Sequence, residues 1–132
     1  MSRPQPPIDL DRRPEAWSAV TAAFASIAAS DGEVAKSERE RFERWLADHS
    51  RRADVHRRAL ALFDELATKL VGPDAERAHK EVAAFLRACE TNDDRALALA
   101  AAQAAIVADE RIDEREELAL QRICELLGVP LP

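Results

Sequence analysis

The fold of this chain is indicated by an acidic connection between two helix-patterned segments, Asp31-Gly32-Glu33-Val34-Ala35-Lys36-Ser37-Glu38. A degraded copy follows 78 residues later (31 to 109), Asp109-Glu110-Arg111-Ile112-Asp113-Glu114-Arg115-Glu116. The first and last residues of the two copies are identical, and Val34 corresponds to Ile112. Self-similarity of this kind predicts a fused pair of helical units.

The composition favours an all-α fold. Within 132 residues, 47% are apolar, only three are glycine and none is tyrosine, while alanine, leucine, arginine and glutamate dominate. These four residue types are strong helix formers, and β-branched residues are scarce. A chain of this length is sufficient for one domain with its own core. We therefore expect a single all-α domain.

Apolar residues recur at helical spacing in six segments. The predicted helices run from Pro14 to about Ser30, from near Lys36 to a polar break at His49 to Asp54, from there to Gly72-Pro73, from after Asp74 to about Cys89, from Arg95 to Ala108, and from about Glu114 to Leu127. The first two correspond to the last two. The expectation is a compact bundle of six to seven helices with an internal pseudo-twofold repeat, spanning residues 14–132. The Pro-rich segment 1–13 is predicted to be a flexible leader.

The charge distribution bears on the class of partner. A net charge of -6 argues against nucleic-acid binding as the main function, because that affinity depends on clustered positive charge. Basic residues concentrate from Lys36 to Arg58 and acidic residues from Glu90 to Glu117. This dipolar pattern is typical either of a solvated helix surface or of a face that docks a protein partner.

Neither a membrane span nor a secretion signal is expected from the sequence. No apolar run reaches about 18 residues, and the first residues lack an apolar core. Cys89 and Cys124 stand alone on apolar helix faces, as small buried hydrophobes do in a reducing compartment. These features predict a cytoplasmic location.

Helix capping and metal binding are two interpretations of the acidic connections. Asp113 is placed as an N-cap with Glu116 three residues into the helix, a capping-box pattern. Ala35 is a poor cap, so capping accounts for Glu38 only in part. Asp31 and Asp109 follow helix ends, where the helix dipole disfavours negative charge, and a bound cation or an arginine could compensate.

A calcium-loop interpretation fails, but a different cation site stays open. Asp31, Gly32 and Glu38 have the spacing of the last part of an EF-hand loop, yet its first ligand positions would be Ile27 and Ala29, which cannot coordinate a metal. If the two connections converge, a divalent metal ion could be bound by carboxylates from both copies. The candidate metal ligands are Asp31, Glu33, Glu38, Asp109, Asp113 and Glu116.

The sequence gives no positive indication of an enzyme. The three histidines lack zinc-ligand spacing, no serine has a nucleophile-elbow context, and no glycine-rich loop could hold a phosphate. We therefore expect no catalytic residue and no organic cofactor.

The motif order resembles a known family. Ala29-Ser30-Asp31-Gly32-Glu33-Val34 with Glu38, followed by Ala108-Asp109-Glu110-Arg111-Ile112-Asp113 with Glu116 and then Leu127-Gly128, resembles the TerB-like domain of tellurite-resistance proteins, which the DjlA co-chaperone shares. The resemblance covers about Trp17 to Val129. The chain departs from the family pattern at Ala35, where a polar cap is commoner, and at Glu110-Arg111, where a glycine and an acid are expected.

The resemblance implies a helical stress-response module without established catalysis. Members are implicated in tellurite resistance and chemical stress, within protein assemblies near the membrane, and their shared acidic residues imply a metal site. Carried over, these residues are the six candidate ligands named above. Two hypotheses follow: a module that binds a divalent cation and docks protein partners, or a protein-interaction scaffold in which the acidic connections only cap helices.

Overall fold

A computed structural model describes residues 9–106 and 113–132 of the chain. Six α-helices lie within these residues: α1 (Trp17–Ala28), α2 (Lys36–His49), α3 (Ala53–Leu70), α4 (Ala75–Arg87), α5 (Asn92–Ala105) and α6 (Glu114–Leu127). A single 3-10 turn, Pro14–Ala16, precedes α1. The prediction of an all-α bundle is confirmed. The predicted internal repeat stays a prediction, because half of the second acidic connection, residues 109–112, lies outside the described residues.

Helix α1 forms the centre of the bundle and packs against α3, α4, α5 and α6. Its alanines are buried on all sides, including Ala19, Ala22 and Ala25, so neighbouring helices approach its backbone closely. Val20, Phe24 and Ile27, which recur at helical spacing, are buried as well. The sequence predicted one apolar face, whereas the structure buries the whole circumference of this helix, which is characteristic of a central helix.

Three phenylalanines from different helices meet at the core. Phe24 of α1 lies with its ring centroid 4.9 Å from that of Phe42 of α2, and Phe42 stacks on Phe63 of α3 at 5.0 Å. All three side chains are fully buried. Aromatic pairs at this separation stabilise a core beyond the area that they bury. The cluster fixes α2 against α1 and α3.

The residues just before the 3-10 turn contact two of the helices. Leu10 is fully buried, and its backbone N–H donates to the carbonyl of His49 at 2.9 Å. Arg13 donates two hydrogen bonds to the buried carboxylate of Asp94, at 2.9 and 3.1 Å. These contacts hold residues 9–13 against α2 and α5, and the flexible leader stays a prediction. Residues 1–8 lie outside the described residues.

Several helix ends differ from the prediction: α4 ends at Arg87 and not near Cys89, and α5 ends at Ala105 and not at Ala108. Helix α1 ends at Ala28 and not at Ser30. Helix α5 begins at Asn92 and not at Arg95, because the Thr91 hydroxyl is the N-cap and accepts the backbone N–H of Asp94 at 3.1 Å. Threonine is one of the residue types preferred at an N-cap. By contrast, α6 has the bounds that the sequence predicted.

The two cysteines are shielded from solvent to different degrees. Cys124 is buried and Cys89 half-buried, and burial raises the pKa of both thiols. Throughout residues 9–106 and 113–132, every helix is too short or too polar to cross a lipid bilayer.

Candidate functional site: an acidic cavity between two helix starts

The first acidic connection leaves α1 through a tight turn. Gly32 has a φ of +94°, a conformation that side-chain-bearing residues rarely adopt, and its N–H donates to the carbonyl of Ala29 at 3.0 Å. The backbone N–H of Glu33 donates to the Asp31 carboxylate at 3.2 Å. Asp31 thus lies three residues beyond the end of α1, and its carboxylate caps its own turn.

Helix α2 begins after an N-cap that contributes no side chain. Ala35 occupies the cap position with an extended backbone, and its carbonyl accepts the N–H of Glu38 at 3.0 Å. Glu38 lies in the first turn, where the positive end of the helix dipole favours a carboxylate. It also lies one turn before Phe42, on the same helix face. Because Phe42 is part of the core, Glu38 is directed towards the interior and is only partly exposed.

The second connection ends at a capped helix. Asp113 is the N-cap of α6, and its carboxylate accepts the backbone N–H of Arg115 at 2.9 Å. The predicted capping role of Asp113 is therefore confirmed. Glu116 lies in the first turn of α6, at the position equivalent to that of Glu38 in α2. The remaining ligand candidate of this copy, Asp109, lies outside the described residues.

The two connections meet in the folded protein. Three acidic residues, Asp31, Glu38 and Glu116, line one small cavity of about 30 Å³ beside Ile27, Ala28, Ser30 and Ala105. A guanidinium nitrogen of Arg115 (Nη1) also lies 3.4 Å from the backbone carbonyl oxygen of Asp31, to which it donates. Glu33 and Asp113 are exposed and do not line this cavity. The structure thus brings together three of the six predicted ligands.

The pKa of Glu38 is strongly perturbed. Burial raises its pKa from 4.5 to about 7, and the negative charges of Asp31 and Glu116 add to this rise, against the opposing influence of Arg41 and the Ala35 backbone. Its Oε2 atom is buried and has no hydrogen-bond partner in the structure. A buried carboxylate oxygen without a partner is costly, so this atom favours either a proton or a cation.

The cavity does not contain a complete set of ligands in the described residues. Within ranges 9–106 and 113–132, no group of three or more His, Cys, Asp or Glu side chains is arranged to hold a metal ion. The three carboxylates fit the chemistry of a hard cation, which prefers oxygen ligands, but water would have to complete the coordination. The arrangement can therefore bind a proton directly and a divalent cation only with additional oxygens.

Sequence reasoning missed the role of Arg115. Its contact with Asp31 joins residues 84 positions apart, and no local pattern indicates it. The inward direction of Glu38 and Glu116, in contrast, has a local signal. Each lies four residues before an apolar core residue, Phe42 and Leu120, and residues at this spacing share a helix face. The spacing could have separated these two glutamates from the exposed Glu33.

A family model described as "Tellurite resistance protein TerB" matches residues 18–131. The match covers all six helices and both acidic connections, and the chain therefore belongs to the TerB family. No curated protein and no solved structure shows a significant match to the chain.

Replacing Asp113 by alanine tests capping separately from ligand binding. We expect a loss of about 1 kcal/mol of unfolding free energy, the usual effect of removing an N-cap side chain. Urea denaturation with and without a chelator would measure it, with Glu114→Ala as the control in the same turn. An equal loss in both conditions is expected. A loss that appears only when divalent cations are present would instead assign Asp113 to a metal site.

Proposed function

We propose that this TerB-family chain is a cytoplasmic stress-response module that binds a divalent cation in the acidic cavity and docks a protein partner. The observation that carries the cation proposal is the buried, unpartnered Oε2 atom of Glu38 in a cavity that Asp31 and Glu116 also line. The proposed ligands are these three residues.

The energetics of the cavity favour a cation at neutral pH. Glu38 ionises there at a cost, since both burial and two nearby carboxylates oppose its negative charge. A divalent ion would offset this repulsion and give Oε2 a partner. The volume of about 30 Å³ leaves room for one ion, and the oxygens that the three residues do not supply would come from water. Calcium, which accepts roughly 6–8 oxygens in flexible geometry, fits such a site better than magnesium, which retains its water shell.

The other three predicted ligands are not among the proposed ones, for a different reason in each case. Asp113 caps α6 through its carboxylate, and Glu33 is exposed away from the cavity. Asp109 stays a prediction from the sequence. We therefore expect substitution of Asp31, Glu38 or Glu116 to weaken cation binding most. If Asp109→Asn also weakened it, Asp109 would be a further ligand.

Calorimetric and thermal-shift titrations test the cation site. We expect Ca²⁺ or Mn²⁺ at ten times its dissociation constant to stabilise the wild type by about 1.4 kcal/mol at pH 7.5, because the ion binds only the folded state. Asp31→Asn and Glu38→Gln should abolish both the heat of binding and the thermal shift. Glu33→Gln removes a charge from the same connection outside the cavity and should retain both.

The alternative function is a protein-interaction scaffold in which the acidic connections only cap helices. It is favoured by the cap that Asp113 forms and by the lack of a complete ligand group in the described residues. If Ca²⁺, Mg²⁺, Mn²⁺ and Zn²⁺ all produce neither heat nor a thermal shift, the cation proposal is wrong and the scaffold function is favoured. The absence of heat and thermal shift in Asp31→Asn would then add nothing, because the wild type would behave in the same way.

A further inference from the structure

A second cavity lies beside the acidic one, between α6, the end of α3 and α4. It has a volume of about 240 Å³, and its lining includes Leu70, His79, Arg115, Leu118, Ala119 and Arg122. We refer to it as the α6 recess. It is separate from the acidic cavity, although Ser30 contributes to both. Its chemistry differs from that of the acidic cavity because its side chains are apolar and basic.

The lining of the α6 recess includes an apolar side chain that is exposed to solvent. Leu118 is 58% exposed, the largest exposed fraction among the large hydrophobic residues of the described chain. Leu70 beside it is buried, and Ala119 is half-buried. A leucine on the surface is common by itself, but here it lies in a concave site together with other apolar atoms. An apolar side chain of a partner could therefore be removed from water against Leu118.

The rim of the recess is positively charged. Arg115 lies three residues before Leu118 and Arg122 four residues after it, so both share its face of α6. Both arginines are exposed, and no carboxylate of the described residues lies within ion-pair distance of either guanidinium. Among the described residues, the Arg115 guanidinium donates to a backbone carbonyl, that of Asp31. Two guanidinium groups thus flank the apolar side chain of Leu118, in a chain whose net charge is -6.

His79 on α4 does not add charge to this rim at neutral pH. Burial and the neighbouring charge of Arg122 lower its pKa from 6.5. Its neutral imidazole contributes a hydrogen-bonding and apolar wall. The fixed positive charge of the recess therefore comes from the two arginines, whose guanidinium groups pair with carboxylates in bidentate geometry.

We propose that the α6 recess docks an acidic amphipathic segment of a protein partner. One leucine-sized side chain of the segment packs against Leu118 and Ala119, and flanking carboxylates pair with Arg115 and Arg122. This inference rests on the docking role in the proposed function and is independent of cation binding. Charge complementarity selects the occupant, because a basic or uncharged segment would leave both guanidinium groups unpaired at the interface.

Labelled peptides provide the test. The probe is a fluorescein-labelled helical peptide with one central leucine and glutamates three residues before and four residues after it. One control peptide carries lysines in place of these glutamates, and another carries serine in place of the leucine. We expect fluorescence anisotropy to show binding of the acidic leucine peptide alone, weakening as salt is raised.

Surface variants locate the binding on the protein. Arg122→Glu and Leu118→Ser change exposed side chains, so folding is retained, and each should weaken binding of the acidic peptide at least tenfold. Arg58→Glu, an exposed charge reversal on α3, is the matched control and should bind as the wild type does. Arg122→Glu should in addition gain affinity for the lysine peptide.

Several outcomes would overturn the inference. These are no binding of the acidic peptide, equal weakening by Arg58→Glu, binding to anionic phospholipid vesicles that Arg122→Glu abolishes, or a dimer in sedimentation that Leu118→Ser dissociates. All peptide measurements are made with a chelator present. Loss of peptide binding with intact cation titrations would refute the recess alone, whereas loss of cation binding with intact peptide binding would refute the cation site alone.

Discussion

Replacing Phe42 by alanine is expected to reduce the free energy of unfolding by about 3–5 kcal/mol, as truncation of a buried phenylalanine does in well-packed cores. The ring is fully buried and contacts both Phe24 and Phe63. Removing it leaves a cavity where α1, α2 and α3 meet. Helix α2 has only two further buried side chains, Trp45 and Leu46, so the remaining structure has little apolar surface with which to compensate.

Urea denaturation at fixed pH measures this loss, and Phe42→Leu is the matched control. Leucine keeps an apolar side chain at the site while losing the ring contacts, and should cost about 1–2 kcal/mol, because part of the volume is retained. If Phe42→Ala lost less than Phe42→Leu, the aromatic cluster would not be what fixes α2. The change also bears on function, since Glu38 lies one turn before Phe42 and is positioned by the same helix.

The fold was predictable to the extent that its signals are local. Helical spacing predicted all six helices, and Gly128 marked the end of α6, where it adopts a φ of +71°. Alanine carries no such signal, because it is compatible with both core and surface. The sequence therefore did not reveal that α1 is buried on all sides. That property depends on how the other helices are arranged around it.

Contacts between distant positions are the features that the sequence could not indicate. Arg13 and Asp94 are 81 residues apart, and nothing near either residue in the sequence indicates that they pair. The pairing holds the segment before α1 against α5, where the three prolines of the first seven residues suggested a flexible leader. The same limit applies to the site. Spacing indicated six acidic candidates, but only the packing of α6 against α1 and α5 selects Glu116 to lie near Asp31 and Glu38.

A proton at Glu38 should make the stability of the protein depend on pH in a defined direction. The pKa of this carboxyl is about 7 in the folded protein and 4.5 when fully solvated. The folded state therefore binds the proton more tightly than the unfolded chain does. Its contribution to stability is fully present below pH 4.5 and is lost as the pH rises to 7 and above. Wild-type protein is expected to be less stable at pH 8 than at pH 5 by this contribution.

Glu38→Gln removes this pH dependence. Glutamine keeps the shape and stays neutral, so we expect the variant to exceed the wild type by about 2 kcal/mol at pH 8, after allowance for solvent screening of the partly exposed side chain. The two proteins should differ little at pH 4.5. Urea denaturation in the presence of a chelator measures both, and Glu40→Gln, an exposed residue of the same helix, is the control for loss of one negative charge.

The comparison separates a role for Glu38 in function from one in stability. A glutamate that only capped α2 would stabilise the folded state when ionised. In that case Glu38→Gln would weaken the protein at pH 8 and at pH 5 alike. That result would contradict the burial argument. A gain at pH 8 would mean that the chain retains a carboxylate whose charge destabilises it. Adding Ca²⁺ should then offset this destabilisation in the wild type and leave Glu38→Gln unchanged, because only the ionised carboxylate attracts the ion.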